Sequence, residues 1–183
     1  MAALVGHDAR MTPQRDSDSL ERADLVASLD KHRGFLRQTL RNVSDEDAAR
    51  RTTVSALCLG GIVKHVTLTE ETWVAFIERG PDAIGAADAA AMEAHAASFR
   101  MEPGETVASL LDHYNEVAKR TDELVGALES LDASQPLPVA PWFEPGGRWS
   151  ARRALLHILA ETSQHAGHAD IVREAIDGAK TMG

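Results

Sequence analysis

The chain has a single cysteine, Cys58, so it cannot form an internal disulfide, and the fold must come from packing alone. It has no run of about 20 apolar residues and no secretory leader pattern, which reads as a soluble, cytoplasmic protein with no membrane partner. Aromatic residues are only 4% of the composition, against 44% hydrophobic residues overall. The apolar content is therefore mostly Ala, Leu and Val, which suits helices better than sheets. Positive charge is also short: 19 Lys and Arg stand against 28 Asp and Glu, a formal net charge of -9. No cluster of cations interleaved with aromatics is present, so a nucleic-acid groove is excluded.

At 183 residues the chain fits one domain with a substantial core. Residues 1–18 show no apolar period and read as a mobile N-terminal extension, with the folded domain spanning 19–183. Leu20, Leu25, Leu29, His32, Leu36 and Leu40 predict a first amphipathic helix from about Ser19 to Arg41. Ser44-Asp45-Glu46-Asp47 resembles a capping box opening one short helical turn. A second long helix, capped by Ser55, carries Leu59, Ile62, Val63, Val66, Trp73, Phe76 and Ile77 and stops at Gly80-Pro81. Residues 81–103 are Ala-rich and weakly amphipathic, and loop, short helix and flap all stay open there. A third helix follows from a Thr106 cap, and Ser150 caps the last, with Gly178 just past its end. Between them four prolines and Gly146-Gly147 exclude regular helix and predict a long ordered crossing. Four long helices make an all-α four-helix bundle.

The chemistry concentrates on the last helix. His157, Glu161, His165 and His168 are spaced by four, four and three, so all four share one face. Neighbours four apart have Cβ atoms about 5 to 6 Å apart and can share an ion. His157 and His165 sit about 12 Å apart along the axis and cannot. Zinc in a catalytic site commonly takes three protein ligands, two His and one Glu among them, and leaves a position open. The third ligand must come from another helix, and His65, on the stripe of Ile62, Thr69, Trp73 and Phe76, is the candidate that points inward. An inward His is more often a hydrogen-bonded structural residue, and a Glu/His pair four apart is more often a surface contact. His32 and His113 lie near apolar stripes, while His7 and His95 look solvated. Cys58, between Leu57 and Leu59, reads as a small buried hydrophobe rather than a nucleophile.

Two segments carry a resemblance: Ser55 through Val66 with Glu70-Glu71-Thr72-Trp73, and Arg148-Trp149-Ser150 continuing through Leu155 to Asp170. They resemble the DinB-like superfamily, in particular the metal-binding domain of mycothiol-dependent maleylpyruvate isomerase and the mycothiol S-transferases. The similarity spans about Ser19 to Gly178. It implies the DinB-like bundle with one divalent metal held by a His of the second helix and two residues four apart on the last. Matched by motif, these are His65, Glu161 and His165. Many DinB-like relatives have His where Glu161 stands, and the mycothiol-using branch has Glu. The resemblance assigns no direct bond to His168, which with His157 would stand behind the ligands or face substrate.

The resemblance also implies zinc, with nickel, iron or manganese accepting the same donors, and mycothiol or a similar low-molecular-weight thiol as co-substrate. The expected function is a metal-dependent thiol transferase that conjugates or isomerises a small electrophile held against Trp73, Trp142, Phe143 and Trp149. Arg148, Arg152 and Arg153 could meet anionic groups, although solvated helix-end charges are the commoner explanation. The same triad would serve a metal-dependent hydrolase or a non-catalytic metal-binding stress protein. Bundles of this kind commonly pair, so a homodimer is also an expectation.

Overall fold

In the computed structural model, which describes residues 13–181, four long helices pack side by side: α1 (Pro13–Thr39), α3 (Leu59–Arg79), α5 (Val107–Ala127) and α6 (Ala151–Asp177). Helix α1 packs on α6 and α5, and α3 packs on α6 and α5, which closes the bundle. Two shorter helices, α2 (Asp45–Ala49) and α4 (Ala89–Ser98), and a two-stranded antiparallel ladder, β1 (Ser134–Pro136) with β2 (Arg148–Ser150), complete it. No described helix is long and apolar enough to cross a membrane.

The helix signals act as expected at most ends. Ser44, Thr106 and Ser150 each accept a hydrogen bond from the backbone N–H three residues on, and Gly178 closes α6 in the left-handed conformation at φ 79°. Two boundaries differ. Helix α1 already begins at Pro13 rather than near Ser19, so residues 13–18 of the expected extension are helical, while residues 1–12 lie outside the described residues. Helix α3 begins at Leu59 with Cys58 at its cap, not at Ser55. The Ser55 hydroxyl instead accepts from the Leu57 N–H, a local turn that competes with helix. The segment left open, 81–103, contains a short 3-10 turn, Pro81–Ala83, and then α4, capped by Asp88. The crossing from 132 to 149 holds no helix, but its ends pair as the short ladder, Ser134 opposite Ser150 and Gln135 opposite Trp149. Three residues per strand are too few to leave a period in the sequence.

The core has two layers along the bundle. One gathers Leu25, Leu29, Trp73, Phe76, Leu155 and Ile158, and the other Leu36, Leu40, Leu59, Ile62, Tyr114 and Val172. Between them runs a polar girdle. Arg33, fully buried, donates to both carboxylate oxygens of buried Glu70 and, at 2.9 Å, to Asp122, while the Thr121 hydroxyl donates to Glu70 at 2.6 Å. This ties α1, α3 and α5 together. The face of α1 that enters the core is thus Leu25, Leu29, Arg33, Leu36 and Leu40. The expected members Leu20 and His32 turn outward: Leu20 is exposed and the His32 ring bonds the Ser28 carbonyl at 2.8 Å. Because Glu70 anchors α3 toward α1 and α5, the side of that helix bearing His65, five residues earlier and about 140° around, is left facing α6 and α4.

Candidate metal centre

His65 of α3 and Glu161 and His165 of α6 come together at the side of the bundle, with one ligand atom from each lying within 4.8 Å of the others. A helical turn brings Glu161 and His165 onto one face, and packing of α3 on α6 brings His65 across to them, its ring centroid 4.9 Å from that of His165. His65 and His165 are buried and Glu161 is half-buried.

The surroundings of each ligand fix which atom it offers. His65 Nδ1 lies 2.9 Å from the Ser98 hydroxyl, and that hydroxyl donates to the His95 carbonyl at 2.6 Å. The hydroxyl proton is thereby committed to His95. Nδ1 of His65 must then carry the proton it shares with Ser98, and Nε2 keeps its lone pair for the centre. His165 Nε2 faces Glu161 Oε2 at 3.6 Å, while its Nδ1 lies 3.4 Å from Nδ1 of His168. On the far side of the carboxylate, His157 Nε2 stands 3.7 Å from Glu161 Oε1. His157 and His168 thus both sit behind the three donors.

Burial, the neighbouring His165 and His95 together push His65 down to about 3. Burial likewise lowers His165 and His157, against the pull of Glu161. All three rings are therefore neutral near pH 7, the form in which imidazole binds a metal. This sets the acid behaviour of the metal-free protein. The unfolded chain takes up a proton on His65 near 6.5 and the folded chain only near 3. The stability contributed by the neutral ring is whole above about 6.5 and lost as pH falls toward about 3. Thermal midpoints of metal-free protein should accordingly fall between about pH 6.5 and 4, and His65→Asn should flatten that slope. An unchanged slope in the variant would refute the assignment.

Two walls complete the site, and neither is legible in the histidine spacing. Phe99 stacks on the His65 ring, with centroids 3.8 Å apart and planes at 22°. It can do so because the Gly60-Gly61 pair at the start of α3 lets the 99–101 backbone pass: a Cβ on Gly61 would overlap the Phe99 carbonyl, and one on Gly60 would overlap the Met101 side chain. Glycine costs about 1 kcal/mol in a helix interior, so two in succession are the signal that marks such a close approach. His95, expected to be solvated, is exposed but reaches the site, its ring centroid 5.1 Å from that of His65.

The cleft beside the three donors, about 500 Å³, is lined by Thr69, Thr72, Trp73, His95, Ser98 and His157 among others. Of the four aromatic residues expected to meet substrate, Trp73 lines this cleft. Trp149 stacks behind it at 4.6 Å and Phe143 packs edge-on to both, so these two support the wall. Trp142 is 60% exposed and lines not this cleft but the hollow next to it. His113 lies away from the site, 3.8 Å from Glu71. Arg152 pairs with Glu21 and Asp132, Arg148 bonds Ser134, and Arg153 lies over the Trp149 ring, so all three are occupied structurally. Cys58 is buried, with its thiol 3.7 Å from the Phe99 carbonyl.

A family model described as Mycothiol-S-transferase matches residues 24–178. No curated protein matches the chain. Among solved structures, one titled as the crystal structure of the conserved protein of locus from Enterococcus faecalis superposes with a TM-score of 0.61, covering 85% of this chain and 96% of that one at 11% identity. That likeness speaks for the fold alone.

Proposed function

Because the chain belongs to the mycothiol S-transferase family, we propose that it is a metal-dependent thiol S-transferase, joining mycothiol or a closely similar thiol to a small electrophile. The observation that carries this reading is the convergence of His65, Glu161 and His165 within 4.8 Å on the wall of an open cleft. The donor set fits zinc, for which two imidazoles and a carboxylate with a free fourth position is an established arrangement. Bound there, a divalent ion supplies one thing, a thiol held as the reactive thiolate at neutral pH.

The protein's own groups do the rest. Two neutral imidazoles and one carboxylate leave a site with an ion formally near +1, which favours an anionic sulfur over a neutral thiol. Ser98 holds His65 in the tautomer that presents Nε2, and His168 stands 3.4 Å from Nδ1 of His165, on the side of the ring away from Glu161, where partners behind metal-binding histidines generally stand. His157 stands 3.7 Å from the outer oxygen of Glu161, on the cleft side of the carboxylate. The Thr69 and Thr72 hydroxyls give the cleft a polar side suited to a polar thiol, and Trp73 gives it an apolar one. In the reaction the sulfur forms a bond to the electrophilic carbon, the leaving group departs with its electron pair, and the thiol proton passes to solvent.

The test is conjugation of a model electrophile by zinc-loaded protein with and without mycothiol, alongside metal analysis. Turnover that requires both thiol and metal is expected. Equal rates without thiol would replace the transferase by a hydrolase working through the same residues, and metal binding with no turnover and no thiol affinity would leave a metal-binding protein without this activity.

A further inference from the structure

A second hollow, about 470 Å³, adjoins the metal cleft. It lies between α4, the 84–87 turn and the 138–142 loop. Ile84, Ala91 and His95 border both spaces, so the two are parts of one continuous groove with His95 at the neck. The chemistry changes across that neck. On the metal side hydroxyls, histidines and Glu161 stand among Leu68, Trp73 and Ala94; on the far side the lining is Met92, Pro138, Ala140 and Trp142, with Gly85, Ala86 and Ala87 leaving the room and His95 the sole polar side chain. His95 is the one residue with an ionisable side chain among those lining the hollow.

Resting on the transferase reading above, we propose that this hollow binds the apolar body of the electrophile, and that the substrates are uncharged electrophiles carrying an alkyl or aryl tail. A polar thiol and an apolar electrophile need different surroundings, and the groove offers one of each on either side of the neck. Its size falls within the ~300 to 1,000 Å³ of small-molecule sites, and it has no charged group to balance an ionic tail. Met92 and Trp142, 62% and 60% exposed, are apolar side chains left open to water at its rim.

The experiment compares 1,2-epoxypropane with 1,2-epoxyoctane as electrophiles for the zinc-loaded protein with mycothiol. In each, sulfur bonds to the terminal carbon, the C–O bond breaks, and the oxygen takes up the proton the thiol loses, so the two differ only in tail length. Each buried methylene is worth about a factor of four, so burying even two of the extra ones makes kcat/KM for the longer epoxide at least about tenfold higher. Ala140→Trp, which fills the hollow, and Met92→Asp, which puts a charge on its exposed rim without touching the core, should each reduce that preference to about twofold or less. Both should lower the epoxyoctane rate more than the epoxypropane rate. Separately, metal-free protein is titrated with Nile red, an uncharged dye that brightens in apolar surroundings, and its affinity should fall at least about fivefold in both variants. A preference for the short epoxide, an unaltered preference in the variants, or unaltered dye binding overturns the proposal. Should the wild type conjugate neither epoxide, the transferase reading fails by itself, and the dye titration still decides whether the hollow is an apolar binding site.

Discussion

Glu161→Ala should lose its metal. Glu161 is the sole anion among the three donors, and its removal leaves two neutral rings, too few and too weakly charged to keep a divalent ion in competition with water. Outer-sphere partners of metal ligands are worth about 10- to 100-fold in affinity, so a direct ligand is expected to be worth at least about 100-fold. Purified variant should emerge from a desalting column with little bound metal and with thiol conjugation at background. Because Glu161 is half-buried at the edge of the cleft, with no close hydrogen bond holding it, the far-ultraviolet circular dichroism and unfolding midpoint of the metal-free protein should hardly move. His168→Ala should give the intermediate result, a drop of about 10- to 100-fold in metal affinity, since it removes the partner behind His165 rather than a donor. Full metal content in Glu161→Ala would overturn the site.

Glu70→Ala should come close to unfolding the protein although it touches neither the cleft nor the candidate metal donors. It leaves the fully buried Arg33 guanidinium with Asp122 as its remaining anion, and the Thr121 hydroxyl with only the Val117 carbonyl of its own helix to donate to. Breaking a buried ion pair by removing one partner costs about 3 to 5 kcal/mol, against a total stability of about 5 to 15 kcal/mol for a domain. Denaturant titration reads the loss as a shift in midpoint. The double variant Arg33→Met with Glu70→Met removes the stranded charge and should recover most of that loss, because an apolar pair of similar volume often replaces a buried ion pair at little cost. A single variant within about 1 kcal/mol of the wild type would show that the girdle bears little of the stability.

The two variants mark what a linear reading can reach. The candidate metal donors on α6 are spaced by the helix itself, so Glu161, His165 and the residues flanking them are visible as a stripe, and the caps Ser44, Thr106 and Ser150 are visible as local chemistry. Arg33 is not. An arginine on an otherwise leucine face reads as a gap in the stripe, since the carboxylate that neutralises it sits 37 residues on, in another helix. The choice of His65 from several inward histidines likewise depends on how α3 is rotated, which Glu70 and Gly61 fix through contacts that have no period. Ser98, Phe99 and His95 belong to a segment whose short, Ala-rich helix has nearly every side chain in solvent, so no apolar pattern announces it. The resemblance to a family supplied His65 but not the groove on the far side of His95.

That same exposure of α4 bears on how the groove exchanges its contents. A helix that buries little apolar surface opens locally at far less cost than the four that form the bundle. Its inner end carries Ser98, and next to it Phe99, the two groups that hold the His65 ring. Fraying of α4 would therefore release the His65 ring and widen the neck in a single event, with the four long helices left paired. Loading of the ion and release of a bulky product would then share one gate, timed by a ten-residue helix rather than by the stability of the whole fold.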